Sequence, residues 1–482
     1  MSEQQRLAES VHLILDQAGS TAAAYPPDWE TTGRVEYFYR RNTILTRTKD
    51  ADRVEQELQA IIYRAERARS AESGETDQSS ESGGSEQEAE RHASNRLSVI
   101  AGVVQFEWSS DALGTPEVLE LLDAEFGVGT ATPNHGLSLC PNSGHPCPAT
   151  EPAEIPSESK SPVPPVSDGI CCGTHGWDGD GVIVGVVDGG LIQRAPQTWP
   201  WMAGVYGDSE DPFDPATGLI KAYAGHGTFV AGCVRCIAPR AEVCVKRAEE
   251  IAGLAYEDEI IQKMSDALDG GADVIVCEFD GITRLHLPML TFSNFYDERL
   301  RHLNVVVVAP AGNDTSHLPT FPAAYSWVIG VGALTANGNQ RAAFSNYGGW
   351  VDVYAPGVDL VNAFADGNYI CIHEHEDDQH EHGHGHEHEH GHGEHEHPHQ
   401  HEQRHFNGLV NWSGTSFSAP LVAGMIAARM SATGENAPRA AEAVLRFASS
   451  QAIPGVGPHL LPHQVCGTPH EPRRTGCDCG CH

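Results

Sequence analysis

Positive charge is scarce in this sequence. Thirty Lys and Arg stand against 66 Asp and Glu, a formal net charge of -36 over 482 residues. Such a chain repels phosphate backbones and anionic bilayers, so neither nucleic acid nor a membrane surface is an expected partner. Long apolar runs are missing too: no stretch of 18 or more apolar residues occurs, which excludes an ordinary membrane-spanning helix. Residues 1–10 are polar and lead into a short amphipathic stretch rather than the apolar core of a Sec signal. A cytoplasmic protein, or one exported by another route, is therefore expected. The 13 cysteines are an odd number, scattered except for four crowded at the end, and their count does not fix the redox compartment. The length suffices for one large domain and a smaller one, expected as a monomer, with cores that need no disulfides.

In residues 34–48 a run rich in Tyr, Phe and β-branched residues predicts a strand, and Val54, Leu58, Ile61 and Ile62 mark one face of a helix over 50–69. Residues 70–95 are Ser, Glu and Gly with almost nothing apolar, so this acidic insert cannot repay the entropy of ordering and is expected to be disordered. A second strand at 97–108, a helix at 116–126 and a short strand near 129–139 follow. Together they predict a small α+β domain over 1–147, with helices on one face of an antiparallel sheet. Residues 148–170, rich in Pro and Ser, read as a linker. Over 171–465 buried strands alternate with helices, which predicts an α/β fold with a doubly wound, mostly parallel sheet. Four apolar runs stand out, at 182–187, 272–279, 305–308 and 327–331. Ligands of such sheets bind outside the carboxyl ends of the strands, where Asp188 and Asn313 fall.

Gly414-Thr415-Ser416-Phe417-Ser418-Ala419-Pro420 precedes an apolar, small-residue-rich segment, so Ser416 sits at a predicted helix N-terminus. Unpaired backbone N–H groups there favour the oxyanion formed when a carbonyl is attacked. A serine alone is a weak nucleophile and needs a base. Upstream, Ala224-Gly225-His226-Gly227-Thr228-Phe229-Val230-Ala231-Gly232 places a histidine at the start of another small-residue helix. Singly, each residue is as easily a cap, a surface histidine or a turn. Jointly, Asp188 in Val-Val-Asp-Gly, His226, Asn313 in Ala-Gly-Asn and Ser416 resemble the subtilisin-like serine peptidases, in that family's order. The resemblance runs from about residue 176 to 447. It implies an acyl-enzyme on Ser416, His226 as general base, Asp188 orienting the imidazole, and Asn313 with the Ser416 N–H as oxyanion donors. It implies a polypeptide substrate and no cofactor for the chemistry. The N-terminal unit, ending in Ala131-Thr132-Pro133-Asn134-His135, looks like the family's propeptide, which implies a self-processing zymogen.

Several stretches depart from the family pattern. Val276-Cys277-Glu278-Phe279-Asp280-Gly281 replaces small neutral residues with acids on the strand lining the substrate cleft. With Glu278, Asp280 and Gly312 as substrate-binding positions, a carboxylate in the cleft predicts a preference for Lys or Arg at or near the scissile residue. Residues 373–405 form an insertion with 14 histidines alternating with Glu and Gly; His373, His375, His382, His384 and His386 are candidate ligands for Zn, Ni or Cu. The tail, residues 466–482, ends Cys477-Asp478-Cys479-Gly480-Cys481-His482 and suits either a thiolate-metal site or disulfides. Cys233 and Cys236 are expected to pack as small buried residues. Asp208, Glu210, Asp211 and Asp214 could hold a structural calcium, as family members often do. Two other readings remain: a dedicated processing protease for one partner peptide, and a metal-binding or sensing protein on an inactive peptidase scaffold.

Overall fold

A computed structural model of the protein describes residues 3–73, 95–100, 102–139, 150–155, 176–248, 253–370 and 403–462. Most of the acidic insert and of the 148–170 segment, the histidine-rich insertion up to residue 402, and the Cys-rich tail lie outside the described residues.

The Val- and Ile-rich runs become the middle of a seven-stranded sheet in the order Val353–Pro356, Val328–Leu334, Val306–Pro310, Val274–Cys277, Ile183–Asp188, Glu242–Arg247, Val205–Gly207. Every neighbouring pair is parallel. Successive side chains point to opposite faces, so an uninterrupted apolar run is what a sheet covered on both sides requires. Val184, Val186, Val274 and Val276 enter one core with Phe229, Phe417 and Met425. Val187, Ile275, Cys277 and Val307 enter the other with Ile260, Met264 and Phe292. The helices His226–Ile237 and Thr415–Thr433 therefore share one face, and Glu257–Asp269 and Leu290–Glu298 share the other. This is the predicted α/β doubly wound architecture.

The N-terminal unit is an antiparallel sheet in the order Asn95–Ile100, Val103–Glu107, Tyr37–Arg47, Ala131–Ser138, Leu254–Tyr256, with Ala22–Tyr25 also pairing with Tyr37–Arg47. Val54, Leu58, Ile61 and Ile62 of the helix Ala51–Ser73 pack with Val118, Leu119 and Leu122 of Thr115–Phe126 over one face, as their spacing predicts. The single strand expected at 97–108 is instead a hairpin, with Gly102 at φ +88 in its turn. The last strand of this sheet, Leu254–Tyr256, comes from the C-terminal half, so the two halves share one sheet.

Buried polar contacts fasten the shared edge. Glu257 Oε1 accepts from the His135 backbone N–H at 3.2 Å and lies 2.9 Å from His135 Nδ1, while its Oε2 accepts from the Thr291 hydroxyl at 2.6 Å. The Arg284 backbone N–H donates to His135 Nε2 at 3.1 Å, which sets the neutral tautomer with its proton on Nδ1. Glu257→Ala would strand these buried groups at about 1–3 kcal/mol each. Amide-exchange protection across 131–139 is expected to fall by at least about tenfold in that variant.

Residues 150–155, predicted as linker, are tied to the strand that leads to Ser416. Ala153 and Asn411 exchange two backbone hydrogen bonds of 2.9 Å, and the Trp412 indole N–H donates to the Thr150 carbonyl at 2.6 Å. A buried indole N–H needs such an acceptor. Here the 150–155 segment provides it.

Candidate active site

Asp188 closes the strand Ile183–Asp188 and is fully buried. Its Oδ1 accepts from the Gly189 N–H at 2.6 Å and its Oδ2 lies 2.8 Å from Nδ1 of His226, which is equally buried. The glycine after His226 makes this approach feasible: a Cβ at Gly227 would sit 2.5 Å from the Gly190 carbonyl oxygen and 3.1 Å from Asp188 Oδ1. The imidazole is boxed by Trp412, edge-on at 5.7 Å between ring centres, and by Phe417 at 5.5 Å. Both rings belong to the segment that carries Ser416. Glu210 braces the start of the histidine helix from outside, both its oxygens accepting from the Gly225 N–H.

Ser416 is the second residue of the helix Thr415–Thr433, in the first turn where backbone N–H groups have no intrahelical acceptor. Its Oγ and His226 Nε2 are buried, and neither makes a hydrogen bond to a described residue. Such pairs tighten when substrate engages. Asn313, just beyond the strand Val306–Pro310, is buried too; its Oδ1 accepts from the Thr415 N–H at 2.9 Å and the Thr415 hydroxyl at 3.0 Å. That fixes the amide with its nitrogen at the opposite end. Thr415 Oγ1 also accepts from the Gly312 N–H at 3.2 Å, so one hydroxyl pins the 311–313 loop to the serine helix. Asn346 holds the same loop, donating to the Ala311 carbonyl and accepting from the Asp314 and Ser316 N–H groups, each at 2.9 Å. Sequence reasoning assigned no role to Thr415 or Asn346. Their only signal was their place, Thr415 inside the serine motif and Asn346 inside Phe344-Ser345-Asn346-Tyr347-Gly348.

The two unusual acids point to different neighbours. Glu278 is fully buried beside Asp188 and Ser416. Burial first, then the charges of Asp188 and Asp280, push its carboxyl well up, with the Ser416 hydroxyl pulling slightly the other way. Asp280 is 3% exposed and also raised well up, by burial and then by Asp314. Its backbone exchanges hydrogen bonds of 3.0 and 2.9 Å with Ser138, and the Leu139 N–H donates to the Gly253 carbonyl at 3.0 Å. The N-terminal unit's strand thus lies in a groove between Gly253 and Asp280.

Asp188, His226 and Glu278 bring ligand-type atoms within 4.8 Å of one another. They do not fit a metal ion: Asp188 spends its oxygens on His226 and Gly189, and burial favours the protonated Glu278, a poor ligand. The acidic loop does not fit calcium. Asp211 accepts from the Phe213 N–H and Asp214 from those of Ala216 and Thr217, within their own turns, while Asp208 accepts from the Arg247 N–H and Glu210 from that of Gly225, so each carboxylate already holds a backbone group. His373, His375, His382, His384 and His386 lie outside the described residues. Cys233 and Cys236 share Asn362 Nδ2 at 3.6 and 3.7 Å, and burial pushes both thiols up, Cys236 to about 12. Such thiols are packing groups, not redox centres. Among the described residues no helix is long and apolar enough to cross a membrane.

Comparison with known proteins places this arrangement. The model of the subtilase family, peptidase S8, matches residues 179–465. A thermophilic serine proteinase of Bacillus sp. (strain AK1) is 29% identical over 211 residues, 40% of this chain and 49% of that protein. Subtilisin NAT of Bacillus subtilis subsp. natto is 30% identical over 210 residues, 41% and 52% respectively. The chain spans about half the length of the curated relatives it matches. The crystal structure of fervidolysin from Fervidobacterium pennivorans, a keratinolytic enzyme related to subtilisin, shares the fold at 19% identity, with a TM-score of 0.53 over 89% of this chain and 61% of that one. With a family match over more than half its length and a subtilisin-like α/β fold, the chain belongs to the subtilase family of serine peptidases.

Proposed function

We propose that the chain is a serine endopeptidase that cleaves peptide bonds through an acyl-enzyme on Ser416. The observation that carries this reading is the buried Asp188–His226 pair, 2.8 Å apart, packed against the start of the helix bearing Ser416. As Ser416 Oγ bonds to the scissile carbonyl carbon, its proton passes to His226 Nε2, and Asp188 stabilises the resulting imidazolium through Nδ1–H. The Ser416 N–H and the Asn313 side-chain amide donate to the oxyanion. Collapse breaks the C–N bond, the amine leaves with the proton from His226, and water repeats the sequence to release the acid. Family chemistry of this kind needs no cofactor.

The N-terminal unit supports a zymogen. Its strand Ala131–Ser138 and the following Leu139 are hydrogen-bonded on both sides, by Gly253 or its strand and by Asp280, as an extended peptide added to two edges would be. A polypeptide substrate occupies the same groove once this strand leaves. A fluorophosphonate probe is expected to label the matured protein, and Ser416→Ala to abolish labelling. N-terminal sequencing of that protein is expected to find a start downstream of the strand Ala131–Ser138. A matured protein that resists the probe would leave an inactive scaffold as the reading.

A further inference from the structure

We propose that Asp280 makes this peptidase select Lys or Arg at the substrate residue whose carbonyl Ser416 attacks. The inference rests on the peptidase reading and names its substrate class. The path of a peptide is marked by the N-terminal unit: Ser138 exchanges both backbone hydrogen bonds with Asp280, and the chain then advances past Gly253. A substrate on this path passes between the 278–281 segment and the 311–313 loop, whose Asn313 stands at the oxyanion position.

The Asp280 carboxyl reaches across that gap. A Cβ built on Gly312 would lie 2.4 Å from Asp280 Oδ2, so the acid fills the space that any side chain at 312 would take. Only 3% of Asp280 is exposed, and its Oδ2 has no hydrogen-bond partner among the described residues. Nor does any described Lys, Arg or His form an ion pair with it. The nearby Asn346 amide is turned to the Ala311 carbonyl at 2.9 Å. Glu278 is not the selecting group, because it lies beside Asp188 and Ser416.

A buried carboxyl without a partner is costly, and a cation relieves the cost in a way an aliphatic side chain cannot. Asp314 strengthens the local negative field, which repels an acidic side chain and favours a guanidinium or ammonium group. Without substrate, burial and then Asp314 push the Asp280 carboxyl up; an entering cation pulls it down again. The net charge of -36 draws basic peptides toward the same end.

The test begins with the full-length protein, titrated with benzamidine and with benzamide, its neutral near-isostere, while melting temperature is followed. Benzamidine is expected to bind at least about tenfold more tightly, and Asp280→Asn to erase the difference. Peptides matched except for Arg, Lys, Leu or Glu at the cleaved position should show kcat/KM at least about 100-fold higher for Arg and Lys than for Leu, and Asp280→Gly should remove that preference. Equal binding of benzamidine and benzamide, or equal cleavage after Arg and Leu, overturns the proposal, and the wild-type comparison needs neither variant to fold. A protein labelled at Ser416 that ranks Leu with Arg loses the selectivity and keeps the peptidase reading. One that binds benzamidine through Asp280 yet resists the fluorophosphonate loses the peptidase reading and keeps the pocket.

Discussion

His226→Ala or Ser416→Ala is expected to lower kcat toward peptides about two-million-fold, and Asp188→Ala about 30,000-fold, the scale established in subtilisin, a relative of this chain. The reason is that in the proposed mechanism the three side chains form one proton path. Without Ser416 there is no atom to acylate; without His226 the hydroxyl keeps its proton; without Asp188 the imidazole loses its 2.8 Å partner and its tautomer. The losses are therefore not additive. The double variant Ser416→Ala/His226→Ala should be no slower than either single variant, with the residual rate over water supplied by Asn313 and the Ser416 backbone N–H. Steady-state hydrolysis by the matured protein measures this. Stability distinguishes the variants: Ser416→Ala removes one oxygen with no hydrogen-bond partner, whereas His226→Ala leaves the Asp188 carboxylate buried without its imidazole and opens a space between Trp412 and Phe417. Ser416→Ala should accordingly melt close to wild type and His226→Ala clearly below it.

The parallel sheet was legible in sequence because burial on both faces demands unbroken Val and Ile, and four such runs became four of its strands. Asp188 and Asn313 were legible for a related reason: strand ends in such sheets are where a site can form. The gaps have equally physical causes. Leu254–Tyr256 spans three residues, too short for any period, yet it joins the two halves of the molecule. The hairpin at Gly102 was hidden because apolar residues continue on both sides of the turn. Thr415 and Asn346 act through hydrogen bonds to backbone groups far away in sequence, which spacing cannot show. Glu278 and Asp280 were both read as substrate-binding positions on one strand. The strand ends at Cys277, so the two acids diverge, one to Asp188 and the other to the 312 loop. The acidic loop has the composition of a calcium site, but its carboxylates accept from backbone N–H groups, near in sequence for Asp214 and far away for Asp208, which composition cannot show.

Melting temperature is expected to fall as pH is raised, and Glu278 and Asp280 are expected to carry much of the slope. Both carboxyls are held well above their ordinary values of 4.5 and 3.8, in each case first by burial. The folded protein therefore keeps protons that the unfolded chain gives up above those ordinary values. Folding stability from these groups is fully present below pH 3.8 to 4.5 and is lost as pH climbs toward and through the raised folded values. While a proton stays on the folded form alone, the loss is at most about 1.4 kcal/mol per pH unit for each group. Asp208 and Asp214 act oppositely, their carboxyls being lowered, but both are only partly buried, which leaves them a small part in solution. Gln at 278 and Asn at 280 imitate the neutral acids in shape and cannot release a proton. The double variant Glu278→Gln/Asp280→Asn should hold its melting temperature from pH 5 to pH 9 far better than wild type, with each single variant between the two. Benzamidine, by favouring the ionised Asp280, should flatten the wild-type slope and leave that of Asp280→Asn unaltered. A double variant as steep as wild type would place the protons elsewhere and remove both acids from this account.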